Sequence, residues 1–232
     1  HFSMLSTSTI WQTIADKLLH GSSVHLWYLY MIIGLYLAIP FLRKIVNNSS
    51  DREIKTFLGF WFLSLLFMNK RLTSYMPAID LTFFSGYLGY LVLGFYLAKE
   101  KVSLKPAYSA WIFIVVGIAS VIGTYTLCKV NMRYDTLLYG YLFPNQVVLA
   151  SALFLFVKAL SMHKEVPQFL RFIDKHSFGI YLSHILVLNF VHPKILLPTL
   201  WKLPVVILLT VLGSLLITYL IRKIPYGKHI SG

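Results

Sequence analysis

The chain has 232 residues, of which 57% are hydrophobic and only 12% are charged, and its formal net charge is +13. Soluble domains usually carry about 25% charged residues, so this composition excludes an ordinary soluble domain. The basic residues lie between apolar blocks and do not form one patch, which argues against a nucleic-acid partner. The single cysteine, Cys128, excludes an intramolecular disulfide and a cysteine-based metal site, and no metal is expected.

Long apolar blocks predict an all-α fold, a polytopic bundle of transmembrane helices. A helical span needs about 20 apolar residues, whereas the strands of a membrane barrel would alternate apolar and polar residues, and residues 204–220 do not alternate. Seven spans are predicted in chain order: 24–46, 54–69, 79–98, 107–129, 137–160, 177–191 and 200–221.

Three regions follow from these spans. Residues 1–23 are expected to be a periplasmic or interfacial segment, residues 24–224 the helical domain, and residues 225–232 a cytoplasmic tail. The chain begins with His1 and shows no signal-peptide pattern, so an internal start is expected.

The distribution of Lys and Arg predicts the orientation. With seven spans and the carboxyl terminus in the cytoplasm, 14 of the 21 basic residues lie in inner segments and 7 in outer ones. The second span is short and could be re-entrant by length alone. Removing it would divide the basic residues 10 to 11 and abolish the positive-inside bias, so seven spans are favoured.

His184 is the clearest candidate for chemistry, because an ionisable group at membrane depth is costly. Ser177, Tyr181 and His184 are spaced i, i+4 and i+7, so they share one face of the sixth span. A neutral histidine near pH 7 suits a general base for a hydroxyl. The alternative is a histidine that bonds a neighbouring helix for packing alone.

The first span opens with a second histidine among aromatic residues. Trp27 and Tyr28 fit an interfacial aromatic belt, but His25 is not a preferred belt residue. His25 and Tyr28 are three residues apart and share a face, which makes them candidates for the outer half of the site.

Polar residues also occur in the third and fifth spans. Pro144 is followed by Asn145 and Gln146 about a third of the way into the fifth span. Their amides could satisfy a carbonyl freed at a proline kink or could bind a polar ligand, and both alternatives remain open. In the third span, small residues favour close helix packing over catalysis: Ser85, Gly86, Gly89 and Gly94.

Three segments are similar to motifs of the acyltransferase-3 family. The sequence HLWYLY at residues 25–30 resembles the family's HLWFL span, GYLGYLVLGFYL at residues 86–97 resembles GYLGYFLLGYYL, and SFGIYLSH at residues 177–184 resembles SYGIYLIH. The three occur in the family's order and extend over most of the chain.

The resemblance implies a bacterial inner-membrane protein with about ten spans, of which this chain would supply the carboxyl-terminal seven. Members transfer acyl groups, usually acetyl from acetyl-CoA, to sugar hydroxyls of polysaccharides, lipopolysaccharide, peptidoglycan or glycolipids. The family's catalytic arginine and histidine are then expected upstream, and the fragment alone is expected to be inactive.

Candidate site residues follow from the residues and the resemblance together. Those proposed for catalysis are His184 and His25. Those proposed for substrate binding are Trp27, Tyr28, Asn145, Gln146, Ser177 and Tyr181. The expected partners are membrane lipid, a saccharide or glycolipid acceptor, and an acyl-CoA donor whose binding residues the sequence does not assign. The competing function is a transporter or flippase for a lipid-linked sugar.

Overall fold

A computed structural model describes residues 27–67, 86–161 and 165–224. Within these ranges all regular secondary structure is helical, which confirms the predicted all-α fold. The described ranges contain seven α-helices: α1 Trp27–Asn48, α2 Asp51–Phe67, α3 Leu88–Ala98, α4 Pro106–Asn131, α5 Pro144–Ser161, α6 Gln168–Val191 and α7 Thr199–Lys223. The predicted segments 1–23 and 225–232 lie outside the described residues.

Four stretches of the described chain are long and apolar enough to cross a membrane: Tyr28–Asn48, Pro106–Asn131, Leu137–Ser161 and Thr199–Lys223. They correspond to the first, fourth, fifth and seventh predicted spans. Large apolar side chains on these helices are exposed, among them Leu37, Trp111 and Leu200. Such surfaces are expected when lipid and not water surrounds the helices.

The fifth predicted span, 137–160, matches the candidate span Leu137–Ser161, but its first part is not α-helical. Leu137–Tyr139 forms a 3-10 helix, and α5 begins only at Pro144. Proline suits the first position of a helix because the N–H that it lacks would have no partner there. Pro144 therefore starts a helix, and the prediction that it interrupts one is incorrect.

The sixth helix begins nine residues earlier than predicted, at Gln168 instead of Ser177. Its first turns carry the exposed residues Arg171, Asp174 and Lys175, which a hydropathy criterion assigns to a loop. The apolar part of α6 still begins near Ser177. His184 therefore lies about 24 Å along the helix from Gln168 but only about 10 Å from Ser177.

The described helices belong to two compact units. Among the described residues, those between 32 and 161 form the central unit, and residues 27–31 together with 165–224 form the terminal unit. The central unit thus holds most of α1 and all of α2 to α5. The terminal unit holds the start of α1, α6 and α7.

Trp61 is the largest fully buried side chain of the central unit, with 1% of its surface exposed. It lies against Gly89 of α3, where an added Cβ would come within 2.1 Å of the indole ring. Its Nε1 donates to the carbonyl of Gly86 at 2.9 Å, and the Tyr90 ring meets it edge-on. The predicted packing role of small residues is confirmed at Gly89, whereas Gly94 faces open space.

Charged groups fix one end of the central unit. The ammonium of Lys158 donates to the carbonyls of Leu97, Lys99 and Val102 at 2.6–2.8 Å. Asp51, at the start of α2, forms ion pairs with Lys99 and Lys101. The structure thus brings together the α1–α2 loop, the α3–α4 loop and the carboxyl end of α5. The positive-inside rule assigned these three segments to the same side of the membrane.

These ion pairs hold Asp51 in its charged form. Hydrogen bonds from Lys101 and Lys99 lower the pKa of this carboxyl from 3.8 to about 2. At the same helix start, hydrogen bonds from the side chain and backbone of Ser50 lower the pKa of Glu53. The Ser50 hydroxyl accepts from the Glu53 N–H in return, so the pair forms a capping box for α2.

The terminal unit is built on the contact between α6 and α7. A Cβ on Gly179 would lie 2.3 Å from the methyl carbon of Thr218, and one on Gly213 would lie 2.8 Å from Val187. Along the buried face of α7, hydroxyl side chains donate to the carbonyl four residues earlier in the same helix, as Ser214 and Thr218 do. Small residues and self-satisfied hydroxyls let two helices approach closely without leaving polar groups unpaired.

Candidate active site

Three of the predicted site residues meet in the terminal unit. The rings of Tyr28, in the first turn of α1, and Tyr181, in α6, are 5.4 Å apart between centroids. The ring of Tyr181 is in turn 5.7 Å from that of His184. These three residues are called the tyrosine–histidine cluster. Helix α1 thus contributes one member from its start, and α6 contributes two that are one turn apart.

The cluster lies beside the packed face of α6 and not within it. The residues of α6 that are buried are His176, Gly179, Ser183 and Val187. Tyr181 and His184 are only half-buried, and Tyr28 is 39% exposed. A polar ligand could therefore contact the cluster without the α6–α7 contact having to open.

The backbone of α6 fixes the orientation of the His184 ring. Its Nδ1 lies 2.5 Å from the carbonyl oxygen of Tyr181. A carbonyl can only accept, so in the neutral ring the proton is on Nδ1 and the lone pair is on Nε2. This is the tautomer that a general base acting through Nε2 requires.

Two of the predicted residues are not tested by this geometry. His25 lies outside the described residues, and so its predicted role stays a prediction. Trp27 is the first residue of α1, but its side chain is not described. Ser177 is on α6 four residues before Tyr181 and is exposed.

Asn145 and Gln146 belong to the central unit and are bonded locally. The Asn145 amide donates to the Ser120 hydroxyl at 2.8 Å and to the carbonyl of Leu138 at 2.9 Å. The Gln146 amide donates to the same Leu138 carbonyl at 2.7 Å. Both amides thus satisfy a backbone carbonyl of the 3-10 turn before α5. This corresponds to the first of the two predicted alternatives, a local backbone contact in place of a contact with a polar ligand. The buried Asn145 Oδ1 has no hydrogen-bond partner within the described parts of the chain.

His176 is a buried histidine that the sequence reasoning missed. It is 4% exposed, its Nδ1 is 2.7 Å from the carbonyl of Phe172, and its ring lies 4.4 Å from that of Phe172 and 6.3 Å from that of Tyr219. It was overlooked because the sixth span was predicted to start one residue after it. The spacing of His176, Gly179 and Ser183 at i, i+3 and i+7 is the signal that could have identified it.

Helices of spanning length with exposed apolar faces define a multi-pass membrane protein, with one half-buried tyrosine–histidine cluster among its described residues. The model of the acyltransferase-3 family, described as an acyltransferase domain, matches residues 2–221. Because the match covers nearly the whole chain, the chain belongs to this family, and the resemblance inferred from the three motifs is confirmed.

A curated relative agrees with this assignment. The chain is 27% identical over 162 residues to a Bacillus subtilis (strain 168) protein named "Putative membrane-bound acyltransferase YfiQ". The similarity covers 64% of this chain and 42% of that protein, so the chain spans less than half of the relative's length. No solved structure matches the chain.

Proposed function

We propose that the protein takes part in moving an acyl group, in the first instance acetyl from acetyl-CoA, to a hydroxyl of a cell-envelope polysaccharide or glycolipid. The observation that carries the proposal is the family match over residues 2–221. The relative named as a membrane-bound acyltransferase supports the same class of reaction. The thioester donor and the sugar acceptor come from the family resemblance of the three motifs.

Within this chain, we assign the role of a base to His184, while the resemblance implies that the family's catalytic arginine and histidine lie upstream of it. Its Nε2 would take the proton of the acceptor hydroxyl while that oxygen attacks the thioester carbonyl carbon. The carbon–sulfur bond then breaks, the proton passes to the departing sulfur, and the products are an O-acyl ester and free CoA. Hydrogen-bond donors would be needed at the carbonyl oxygen as negative charge develops there.

Tyr28 and Tyr181 would contact the acceptor. The Tyr181 ring lies beside His184 and the Tyr28 ring lies beside Tyr181. Each phenol has an apolar face and a polar tip, which suits a sugar that must be held while one hydroxyl reacts. We also assign His25 and Trp27 to this region because they precede Tyr28 by three residues and one residue in the sequence. Ser177, one turn before Tyr181, is assigned to the entrance of the site.

We place the protein in the inner membrane with its carboxyl terminus in the cytoplasm. The supporting observation is the charged end of the central unit, where Lys158 and the ion pairs of Asp51 join segments on one side. A reporter that works only in the cytoplasm should be active when it is fused after the last residue. Activity of a periplasm-dependent reporter at that position would contradict this orientation.

The test of the function uses the full-length protein from its own membranes, in vesicles that contain acetyl-CoA labelled in the acetyl group. The expected result is label in ester linkage on a saccharide or glycolipid, with one CoA released for each acetyl transferred. Movement of a glycolipid across the bilayer without release of CoA would contradict the proposal. That outcome would favour the competing transport function.

A further inference from the structure

A second site lies in the central unit, away from the tyrosine–histidine cluster. Helices α1 and α3 enclose an open cavity of about 450 Å³, whose walls include Ile39, Leu91, Val92 and Phe95. Two polar residues also line it, Arg43 and Asn47, one turn apart in the last two turns of α1. The cavity is therefore apolar along its walls and cationic towards the end of α1.

The guanidinium of Arg43 makes no hydrogen bond or ion pair with the residues that the structure describes. Three other basic residues at the same end of the unit do have partners. Lys99 and Lys101 pair with Asp51, and Lys158 binds three carbonyls. Arg43 is exposed and its guanidinium stays protonated at any physiological pH, so it is available to an anion that enters the cavity.

The two carboxylates in the first turn of α2 already have partners. Asp51 carries both lysine pairs, and Glu53 accepts hydrogen bonds from the backbone and hydroxyl of Ser50. The partner of Arg43 is therefore expected to come from outside the described chain. A phosphate fits best, because a guanidinium can donate two parallel hydrogen bonds to it.

The apolar walls indicate what carries this phosphate. Ile39 and Phe95 line the cavity and are still 38% and 42% exposed, so the cavity is open on the surface where lipid is expected. A free phosphate would leave these walls uncovered, whereas the acyl chain of a lipid would cover them. Lys99, 5.0 Å above the Phe95 ring, shares the single carboxylate of Asp51 with Lys101, so this end keeps a net positive charge, which disfavours a headgroup that brings its own ammonium.

We propose that this cavity is a binding site for an anionic phospholipid. The phosphate binds Arg43, the Asn47 amide donates a further hydrogen bond to the headgroup, and one acyl chain lies along Ile39, Leu91 and Phe95. Basic pockets between membrane helices recognise anionic headgroups in this way. The site does not depend on the proposed acyl transfer and stands if that proposal fails.

Native mass spectrometry of the full-length protein, released from vesicles of phosphatidylcholine and phosphatidylglycerol, tests the site. We expect phosphatidylglycerol to be retained in preference to phosphatidylcholine. Arg43→Gln should weaken that binding about tenfold, because a charge-assisted hydrogen bond is lost. Lys44→Gln is the matched control: Lys44 is the next residue, is exposed and does not line the cavity, and its change should leave binding within about twofold.

A second variant keeps the test decisive if Arg43→Gln does not fold. Ile39→Trp places a larger side chain in the space proposed for the acyl chain and does not alter the charge. It should therefore also lower the retention of phosphatidylglycerol. Equal retention of the two lipids by the wild type would overturn the proposal, as would equal losses in the Arg43 and Lys44 variants. Displacement of the lipid by inorganic phosphate alone would show that the site recognises free phosphate and would also overturn it.

Discussion

The central and terminal units are stabilised by different chemistry. In the central unit a large ring, Trp61, fills the space that Gly89 leaves, and the ammonium of Lys158 joins three carbonyls. In the terminal unit small residues such as Gly179 let α6 and α7 meet, and the buried hydroxyls of α7 bond to their own helix. The two units therefore differ in how their polar groups are satisfied. In the terminal unit, the packing of α6 against α7 does not use Tyr181 or His184, so these side chains remain for a ligand.

In the terminal unit the packed face and the cluster face of α6 are separate. Gly179 and Ser183 pack, whereas Tyr181 and His184 lie beside them, half-buried. Changes in the cluster are therefore expected to affect activity more than folding. Changes in the central unit are expected to affect folding first. The following predictions test this division, beginning with the largest effect expected on stability.

Trp61→Ala should destabilise the protein by about 3–5 kcal/mol, because it leaves a cavity in the core of the central unit. Thermal unfolding followed in mild detergent would measure the loss. Trp111→Ala is the matched control, since Trp111 is 65% exposed on α4, and it should cost far less. Equal losses would mean that Trp61 is not a core residue.

Gly179→Ala should cost about 1–3 kcal/mol, because the new methyl would overlap the Thr218 side chain and force α6 from α7. The double change Gly179→Ala with Thr218→Ser removes the obstructing methyl and should recover part of the loss. Gly59→Ala, where a Cβ meets nothing within 4 Å, should be neutral or stabilising. A Gly179 variant as stable as the Gly59 variant would contradict the close contact.

Lys158→Met should cost about 1–3 kcal/mol, because three carbonyls lose their common donor while the apolar stem is kept. The loop after α3 should then become more accessible to protease. Lys44→Met, which changes an exposed lysine with no such partners, is the control. Unchanged proteolysis of the loop would show that Lys158 does not hold it.

The smallest effect concerns Asp51 and its pH dependence. Because the folded-state pKa of Asp51 is lowered to about 2, its contribution to stability is fully present above pH 3.8 and is lost as the pH falls towards 2. The stability difference between wild type and Asp51→Asn should therefore be small and constant near neutral pH, shrink as the pH falls from 3.8 to 2, and vanish below pH 2. A difference that does not shrink over this range would show that the ion pairs with Lys99 and Lys101 are not its source.

The apolar helices could be predicted from sequence because their length alone identifies them. Helices α4 and α7 begin and end within two residues of the predicted bounds. The starts of α5 and α6 could not be predicted in this way. Leu137 and Leu138 are as apolar as a helix but form a 3-10 turn, and Arg171 and Lys175 are charged but helical. Hydropathy reports the affinity for lipid and not the backbone conformation.

The candidate site was predicted only in part for a related reason. The spacing along one helix placed Tyr181 and His184 together, and the structure adds Tyr28 from α1. Asn145 and Gln146 carry the same polar groups, yet they bind the Leu138 carbonyl. Side-chain type does not show whether an amide is already satisfied, because the carbonyl that satisfies it belongs to a turn that hydropathy does not detect.

The most direct test is the rate of labelled acetyl transfer by full-length protein carrying His184→Ala, compared with His192→Ala. His192 is an exposed histidine immediately after the last residue of the same helix and lies outside the tyrosine–histidine cluster. We predict that the His184 variant folds normally and loses about 10²–10⁴-fold in kcat, whereas the His192 variant keeps the wild-type rate. Wild-type transfer by a folded His184 variant would contradict the assignment of the base.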